Sequence, residues 1–303
     1  MGVEILKARF FAPPQKLAGC FTSFYLLEVD LPPGQTVSDA LQPEWGNMRF
    51  FQGTPPEVQR AEGDPLKDTP FVATGPSAHP TYFRMAATRM WGIGLLPLGW
   101  AKFVDVPAQT LADEVCDGMT HPAYASFACL QEKLSKAASL PDEEQAEIIC
   151  DHFLKLDRPL RDEAKIAAVH AALIDSEVRG PGELADRSNL TPRTLERLCA
   201  KYFGFSPQML IRRQRMMRTL TAFMLATETT WSEVIDYHYT DHAHFTREFH
   251  AFMHMSPSVY AAMDHPILSA FMEERARQWG SPAQTLDRPD RATRAELSET
   301  GEL

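Results

Sequence analysis

Two arginines at matching positions of a repeated sequence could bind phosphate groups or the edges of nucleic-acid bases. Arg197 and Arg247 lie 50 residues apart, and each follows an apolar residue, Leu195 or Phe245, by two positions. A guanidinium group can donate two parallel hydrogen bonds to a phosphate or to a guanine. These positions therefore predict binding to an anionic, hydrogen-bond-accepting partner.

The repeat around the two arginines predicts a pair of amphipathic helices. Residues 191–197 align with 241–247, and the Ser-Pro pair at 206–207 aligns with the one at 256–257. Thr191 and Asp241 begin the copies and are residue types that cap helices. The apolar residues recur at i, i+4 and i+7, which forms a buried stripe that the arginines avoid. They are Leu195, Cys199 and Tyr202 in the first copy and Phe245, Phe249 and Phe252 in the second.

A shorter helix is predicted before each copy, which gives two helix–turn–helix units. The first covers 183–188 and the second 231–237, where Thr230 and Glu233 form a capping box. A continuous helix over 206–225 joins the units and would be roughly 30 Å long. Two helices on such a spacer could enter successive major grooves, which lie about 34 Å apart. The alternative is an α-helical repeat that does not contact DNA.

Charge is unevenly distributed along a chain whose net charge is −10. One window, 187–218, carries eight cations and one acid, Glu196; the cations are Arg187, Arg193, Arg197, Lys201, Arg212, Arg213, Arg215 and Arg218. Because electrostatic fields are screened beyond about 8–10 Å, such a window can bind DNA on an acidic chain. A solvated helix face is the alternative. Residues 219–263 carry one arginine and five acids, so the first unit should provide most of the DNA affinity.

The chain is expected to have an α+β fold with an N-terminal β-rich domain, sandwich- or barrel-like, over 1–120. Short apolar runs at 21–29, 48–51, 81–86 and 90–96 alternate with Pro- and Gly-rich turns, including one around Trp100 at 99–101. A helical connector is predicted over 121–178, with helices at 123–138, 142–156 and 161–176. An all-α domain of two helix–turn–helix units joined by a long helix follows over 179–265. The polar segment 280–303 is predicted to be disordered.

Residues 183–263 resemble the DNA-binding domain of the AraC/XylS family of bacterial transcription regulators. The resemblance is carried by LTPRTLER at 190–197, GFSP at 204–207, HFTREF at 244–249 and MSPSVY at 255–260. It implies base contacts and phosphate contacts for two sets of residues. The base-facing set is Arg193, Glu196, Arg197, His242, Ala243, Thr246 and Arg247, and the phosphate-contacting set is Thr191, Lys201, Arg212 and Asp241. Residues 92–101 resemble the N-terminal domain of one AraC subfamily.

Three residues of the second unit depart from the family pattern. His238 and His254 stand where glycine is usual, and Glu233 stands where an apolar residue is common. His250 and His254 share a helical face at a spacing that can hold a metal ion. Neutral histidines on a solvent- or DNA-facing surface are the favoured interpretation, so no metal and no cofactor are expected.

The resemblance implies a regulator that binds double-stranded DNA and contacts RNA polymerase, more often as an activator than as a repressor. A small-molecule effector is predicted to bind the N-terminal domain in a pocket lined by Phe50, Phe83 and Trp91, with a packed core as the alternative role of each residue. A homodimer is a further possibility. Five widely spaced cysteines, no apolar run of membrane length and no signal sequence favour the cytoplasm. An interaction module or anti-activator without DNA binding is the main rival, and an enzyme fused to this domain is not favoured.

Overall fold

The N-terminal third folds into two antiparallel sheets. The computed structural model describes residues 5–60, 63–226, 229–279 and 283–289. Six strands form one sheet in the order β1-β2-β8-β4-β6-β9, and three form the other in the order β3-β7-β5. The strands are β1 Leu6–Phe11, β2 Phe21–Val29, β3 Val37–Leu41, β4 Asn47–Phe51, β5 Glu57–Arg60, β6 Phe71–Thr74, β7 Thr81–Met85, β8 Thr88–Leu95 and β9 Val115–Asp117.

The larger sheet is covered on both faces. On β2, Phe24 and Leu26 belong to one apolar core, and Tyr25 and Leu27 belong to another. Since successive side chains of a strand point to opposite faces, these two cores lie on opposite sides of the sheet. Burial on both faces explains why 21–29 is a nearly continuous apolar run rather than an alternating one.

Four helices follow the sheets in the chain, and one of them corrects a prediction. They are α1 Pro97–Phe103, α2 Ala125–Lys136, α3 Asp142–Leu156 and α4 Glu163–Ile174. The predicted turn at 99–101 is part of α1, where Trp100 is buried and its Nε1 donates to the carbonyl of Val106 at 3.0 Å. A Cβ on Gly46 would lie 2.7 Å from the Trp100 ring, so the absence of a side chain at residue 46 allows this helix to approach the sheet.

The C-terminal part contains the two predicted helix–turn–helix units. The first consists of α5 Pro181–Arg187 and α6 Pro192–Leu198, which continues into a π-helical turn, Cys199–Phe203. The connector is α7 Pro207–Leu225. The second consists of α8 Trp231–Val234, shorter than predicted, and α9 His242–Met253, followed by α10 Pro257–Ala261. The observed folds of both parts confirm the predicted α+β class.

A helix that was not predicted returns the chain to the N-terminal sheets. This helix, α11 Pro266–Trp279, packs on β1 and β3. Asp39 of β3 accepts hydrogen bonds from the backbone N–H groups of Ile267 and Leu268 at 2.9 and 2.8 Å. The carboxylate thus satisfies donors that a helix N-terminus leaves free, and it joins the two ends of the chain.

The predicted disorder of 280–303 is wrong for residues 283–289. Thr285 and Asp287 are fully buried, and Asp287 accepts two hydrogen bonds from Arg275 of α11 at 2.8 and 2.6 Å. Gln214 of α7 donates to the carbonyl of Thr285 at 2.6 Å. A polar sequence is ordered here because its polar groups have buried partners. The rest of the predicted tail lies outside the described residues.

The first helix–turn–helix unit shares a core with the N-terminal domain. Leu195, Cys199 and Phe203 belong to the same apolar cluster as Phe24 and Trp100. Trp45, in the loop before β4, contacts Phe203 with ring centroids 5.8 Å apart. No helix in the described part of the chain is long and apolar enough to cross a membrane.

Candidate nucleic-acid interface

Helix α6 and the π-helical turn that continues it carry three exposed cations. Leu195, Cys199 and Tyr202 are buried as predicted, while Arg193, Arg197 and Lys201 are exposed. The three cations are spaced at i, i+4 and i+8, which places them along one side of a helix. Among the described residues, none of the three forms an ion pair. The first reading helix therefore presents a row of positive charge to solvent.

Arg197 also lies close to the helical connector. The pKa of Asp162, just before α4, is lowered: burial acts to raise it, but hydrogen bonds from Lys165 and Tyr202 and the charges of Lys165 and Arg197 outweigh that effect. Tyr202 donates to Asp162 at 3.2 Å. The C-terminal end of α6 is thus held against the segment before α4 by the hydrogen bond from Tyr202 to Asp162 and by the charge of Arg197 near the same carboxylate.

The second reading helix, α9, has a weaker positive face. Phe245, Phe249 and Phe252 are buried, and the exposed residues are His242, Ala243, Arg247, His250 and Ala251. Thr246 is half-buried and donates to the carbonyl of His242 at 2.9 Å. Arg247 forms no ion pair with any residue in the described ranges, so it is the strongest candidate for a DNA contact on this helix.

Five of the eight cations of 187–218 are paired or buried within the protein. Arg187 pairs with Asp175, Arg218 with Asp236 at 2.7 Å, and Arg212 and Arg215 both pair with Glu248. Arg213 is fully buried, with its guanidinium 3.9 Å from the centroid of the Trp45 ring. The window 187–218 is therefore basic in composition, but only Arg193, Arg197 and Lys201 are both exposed and without an ion pair among the described residues.

Glu248, an acid of the second unit, has internal partners. Glu248 is buried and accepts from Arg212 at 2.9 Å, from Arg215 at 2.8 Å and from Tyr239 at 2.9 Å. Its position could have been found from the sequence, since 245, 248, 249 and 252 share the buried face of α9. A carboxylate on that face requires a buried cation, and α7 supplies two.

The predicted phosphate-contacting residues have structural roles of their own. Thr191 accepts from the backbone N–H of Thr194 at 3.3 Å, and Asp241 accepts from that of His244 at 2.6 Å, so both are helix N-caps. Arg212 pairs with Glu248, and the ammonium group of Lys201 lies 4.9 Å from the centroid of the Tyr202 ring. Contact of these side chains with phosphate stays a prediction.

Two helix ends need the left-handed backbone conformation. Gly204 after the first reading helix has φ +88°, and His254, 50 residues later, has φ +56°. A non-glycine residue in this region is strained. His254 Nε2 lies 2.9 Å from Nδ1 of His79 in the N-terminal domain. This contact gives a reason for the departure from glycine, because it joins α9 to the sheets.

The residues predicted to line an effector pocket do not meet. Phe50 and Trp91 lie in the core on one face of the large sheet, where Phe50 stacks on Phe71 with centroids 4.3 Å apart. Trp91 Nε1 donates to Gln145 at 2.9 Å, and Phe83 lies in the core on the other face. The prediction of one pocket from these three residues is corrected: Phe50 and Trp91 are cross-strand neighbours in one core, whereas Phe83 belongs to the smaller sheet and to the other core. Within the described ranges, no group of three or more His, Cys, Asp or Glu side chains could hold a metal ion.

Comparison with known proteins defines the class of the C-terminal part. A family model described as a helix-turn-helix domain matches residues 184–263, which are an AraC-type helix-turn-helix domain. No curated protein matches the chain.

Several solved structures are similar to the chain at low identity. ToxT from Vibrio cholerae O395 has 9% identity and a TM-score of 0.42, covering 85% of this chain and 97% of that one. Wild-type ToxT from V. cholerae strain SCE256 bound to an unsaturated fatty acid has 11% identity and a TM-score of 0.42, with coverages of 80% and 95%. The AraC-like transcriptional activator CuxR has 14% identity and a TM-score of 0.25, with coverages of 71% and 86%.

Proposed function

We propose that the chain is a sequence-specific DNA-binding transcription regulator in which α6 and α9 read the major groove. The observation that carries the proposal is the row of Arg193, Arg197 and Lys201 on α6 and the π-helical turn that continues it. These cations are exposed, whereas the other cations of the same window are paired or buried. Unpaired arginines on the solvent face of a reading helix are suited to guanine edges and phosphates.

The geometry supports a dominant first unit. Arg247 is the only exposed arginine or lysine on α9, and the other predicted base-facing residues of this helix are His242, Ala243 and Thr246. The spacer α7 has 19 residues, which corresponds to roughly 28 Å. We infer that both helices contact one face of the duplex, with the larger share of affinity from α6.

DNA binding is tested with duplexes selected from a random pool by the purified full-length chain. On the selected duplex, Arg197→Ala should weaken binding by about 1–3 kcal/mol and Arg247→Ala by less, because Arg197 acts beside two more cations. The affinity should fall steeply as salt rises, since phosphate contacts release counterions. Arg84→Ala, an exposed arginine on β7, is the matched control and should bind normally.

Three outcomes would count against the proposal. Failure to enrich any sequence would favour the rival interaction module. A larger loss for Arg247→Ala would reverse the roles of the two units. Affinity that does not change with salt would exclude phosphate contacts. The acids that favoured the interaction module include Asp236 and Glu248. Both form ion pairs within the protein, so their charges are a weaker argument against DNA binding.

The remaining partners are proposals of the same kind. We infer that an effector or partner acting on the N-terminal domain changes how α6 and α9 are presented. The continuous core between that domain and the first unit supports such coupling. Contact with RNA polymerase, homodimerisation and the domain boundaries at 1–120, 121–178 and 179–265 remain predictions.

A further inference from the structure

A buried arginine at the end of β5 forms no ion pair with any residue in the described ranges. Arg60 is 8% exposed and shares the inward face of β5 with Val58, a core residue. Its Nη1 donates to the carbonyl of His79 at 3.1 Å, whereas Nε and Nη2 are buried and have no hydrogen-bond acceptor among the residues that the structure describes. A buried charge without a partner is costly, so this guanidinium needs an explanation.

Two other buried arginines, Arg49 and Arg275, each have a carboxylate partner. Arg49 donates to both oxygens of Glu44 at 2.7 and 2.8 Å, and Arg275 donates to both oxygens of Asp287. Burial lowers the pKa of Arg60, and nearby carboxylates only partly offset this effect. The guanidinium of Arg60 thus retains donors suited to an anionic group.

Arg60 lines a cleft between the N-terminal domain and the second helix–turn–helix unit. The cleft has a volume of about 450 Å³, which is within the usual range for small-molecule sites. It is lined by His79 and Asp113 of the N-terminal domain and by His254 at the end of α9. A molecule in this cleft would touch both the sheets and a reading helix.

The charges of the cleft restrict what it could hold. Asp64, Asp113 and Glu114 line it together with Arg60. Asp113 already accepts from the backbone N–H groups of Ala78 and His79 at 2.8 and 3.2 Å, whereas Asp64 and Glu114 are exposed. A ligand with only negative charge would be repelled by these acids, so the second charged group of the ligand should be positive.

We propose that this cleft binds a small zwitterion of the α-amino-acid class, with its carboxylate on Arg60 and its ammonium group facing Asp64 and Glu114. The bound molecule bridges the N-terminal domain and α9 through the His79–His254 contact, and so changes DNA affinity. Binding itself does not depend on the proposed function; the change in DNA affinity does.

Binding is tested on the full chain with a panel of the twenty common α-amino acids, acetate and methylamine. At least one amino acid should raise the melting temperature by about 2 °C or more at 100-fold excess over its Kd, while acetate and methylamine should not. Arg60→Met should abolish the shift, or weaken binding about tenfold or more by calorimetry. Arg84→Met is the matched control, because Arg84 is exposed on the neighbouring strand of the same sheet and faces solvent beside Glu57.

The unliganded variant separates a binding role from a structural one. Replacing an unpaired buried cation by an apolar residue should leave the melting temperature unchanged or raise it. A drop of several degrees for Arg60→Met would make Arg60 structural and overturn the proposal. The absence of any shift across the panel, or an equal shift in Arg60→Met, would also overturn it.

DNA binding provides the independent second measurement. The amino acid that binds should change affinity for the selected duplex in the wild type and not in Arg60→Met. Binding without any such change would overturn the coupling. A chain that binds the amino acid but no DNA would refute the proposed function and leave the site standing.

Discussion

Glu248 shows how one buried carboxylate can pair with cations that the sequence alone predicts to be available. It is the common acceptor of Arg212, Arg215 and Tyr239, and its side chain is 3% exposed. Three donors around one buried carboxylate hold α7 against α9. Because α7 joins the two helix–turn–helix units and α9 belongs to the second, the relative position of the units depends on this residue.

Glu248→Ala should therefore destabilise the protein far more than loss of a surface charge. Removing one partner of a buried pair typically costs about 3–5 kcal/mol. Chemical denaturation should show a loss of that size, whereas Glu196→Ala, an exposed acid on α6, should change the free energy of unfolding by less than about 0.5 kcal/mol. Similar stability of the two variants would mean that Glu248 does not organise the α7–α9 interface.

At the scale of elements, the caps explain where the helices begin. Thr191, Ser206, Asp241 and Ser256 each accept from a backbone N–H three residues on. These bonds are local, so the residue types alone predict them. The cap of α11 is different, because Asp39 lies more than 220 residues away in the chain.

Asp39→Ala should release α11 from the sheet. The carboxylate also accepts from His265 at 3.2 Å and from the backbone of Ala40 at 2.7 Å, so its loss leaves several buried donors unpaired. We expect a loss of about 2–3 kcal/mol in the free energy of unfolding and faster hydrogen exchange confined to α11. Thr191→Ala, an exposed cap, should cost about 1 kcal/mol. Unchanged protection of α11 would contradict the assigned role of Asp39.

At the scale of the whole molecule, His170 stands where three parts of the chain meet. Its ring contacts Trp45 and Phe203 with centroids 5.9 and 6.4 Å apart, and the backbone of Asp287 hydrogen-bonds to it. Burial, followed by the charge of Arg213, lowers the pKa of His170 to about 3. The junction is therefore built around a neutral imidazole.

Acid should weaken this junction. Below pH 6.5, the ordinary pKa of histidine, the unfolded chain binds a proton that the folded chain refuses until about pH 3, so stability falls across that window. From about pH 7.5 to about pH 5 the wild type should lose about 2 kcal/mol more than His170→Gln in urea denaturation. His250→Gln, on the exposed side of α9, should behave like the wild type. Equal acid sensitivity in all three proteins would show that His170 protonates freely in the folded state.

Local sequence patterns were sufficient to predict much of the fold and the exposed cations of the reading helices. The apolar period of α6 and α9, the caps at 191 and 241 and the strand at 21–29 depend on neighbours within a few residues. The short strands β1, β3, β5, β6 and β9 are not predicted by the sequence, because strands of three to six residues depend on pairing with other segments.

Sequence alone determined the tandem helix–turn–helix units, because helical periodicity and capping are local properties. Only the tertiary structure decided which cations remain available. Arg212, Arg215 and Arg218 are neutralised by acids that come near them only after folding, while Arg60 is left beside an open cleft. The tertiary structure also decided the order of α11, which packs on β1 and β3, and of residues 283–289, which bind Arg275 and Gln214. Ion pairing and burial depend on distances in space, which spacing along the chain does not specify.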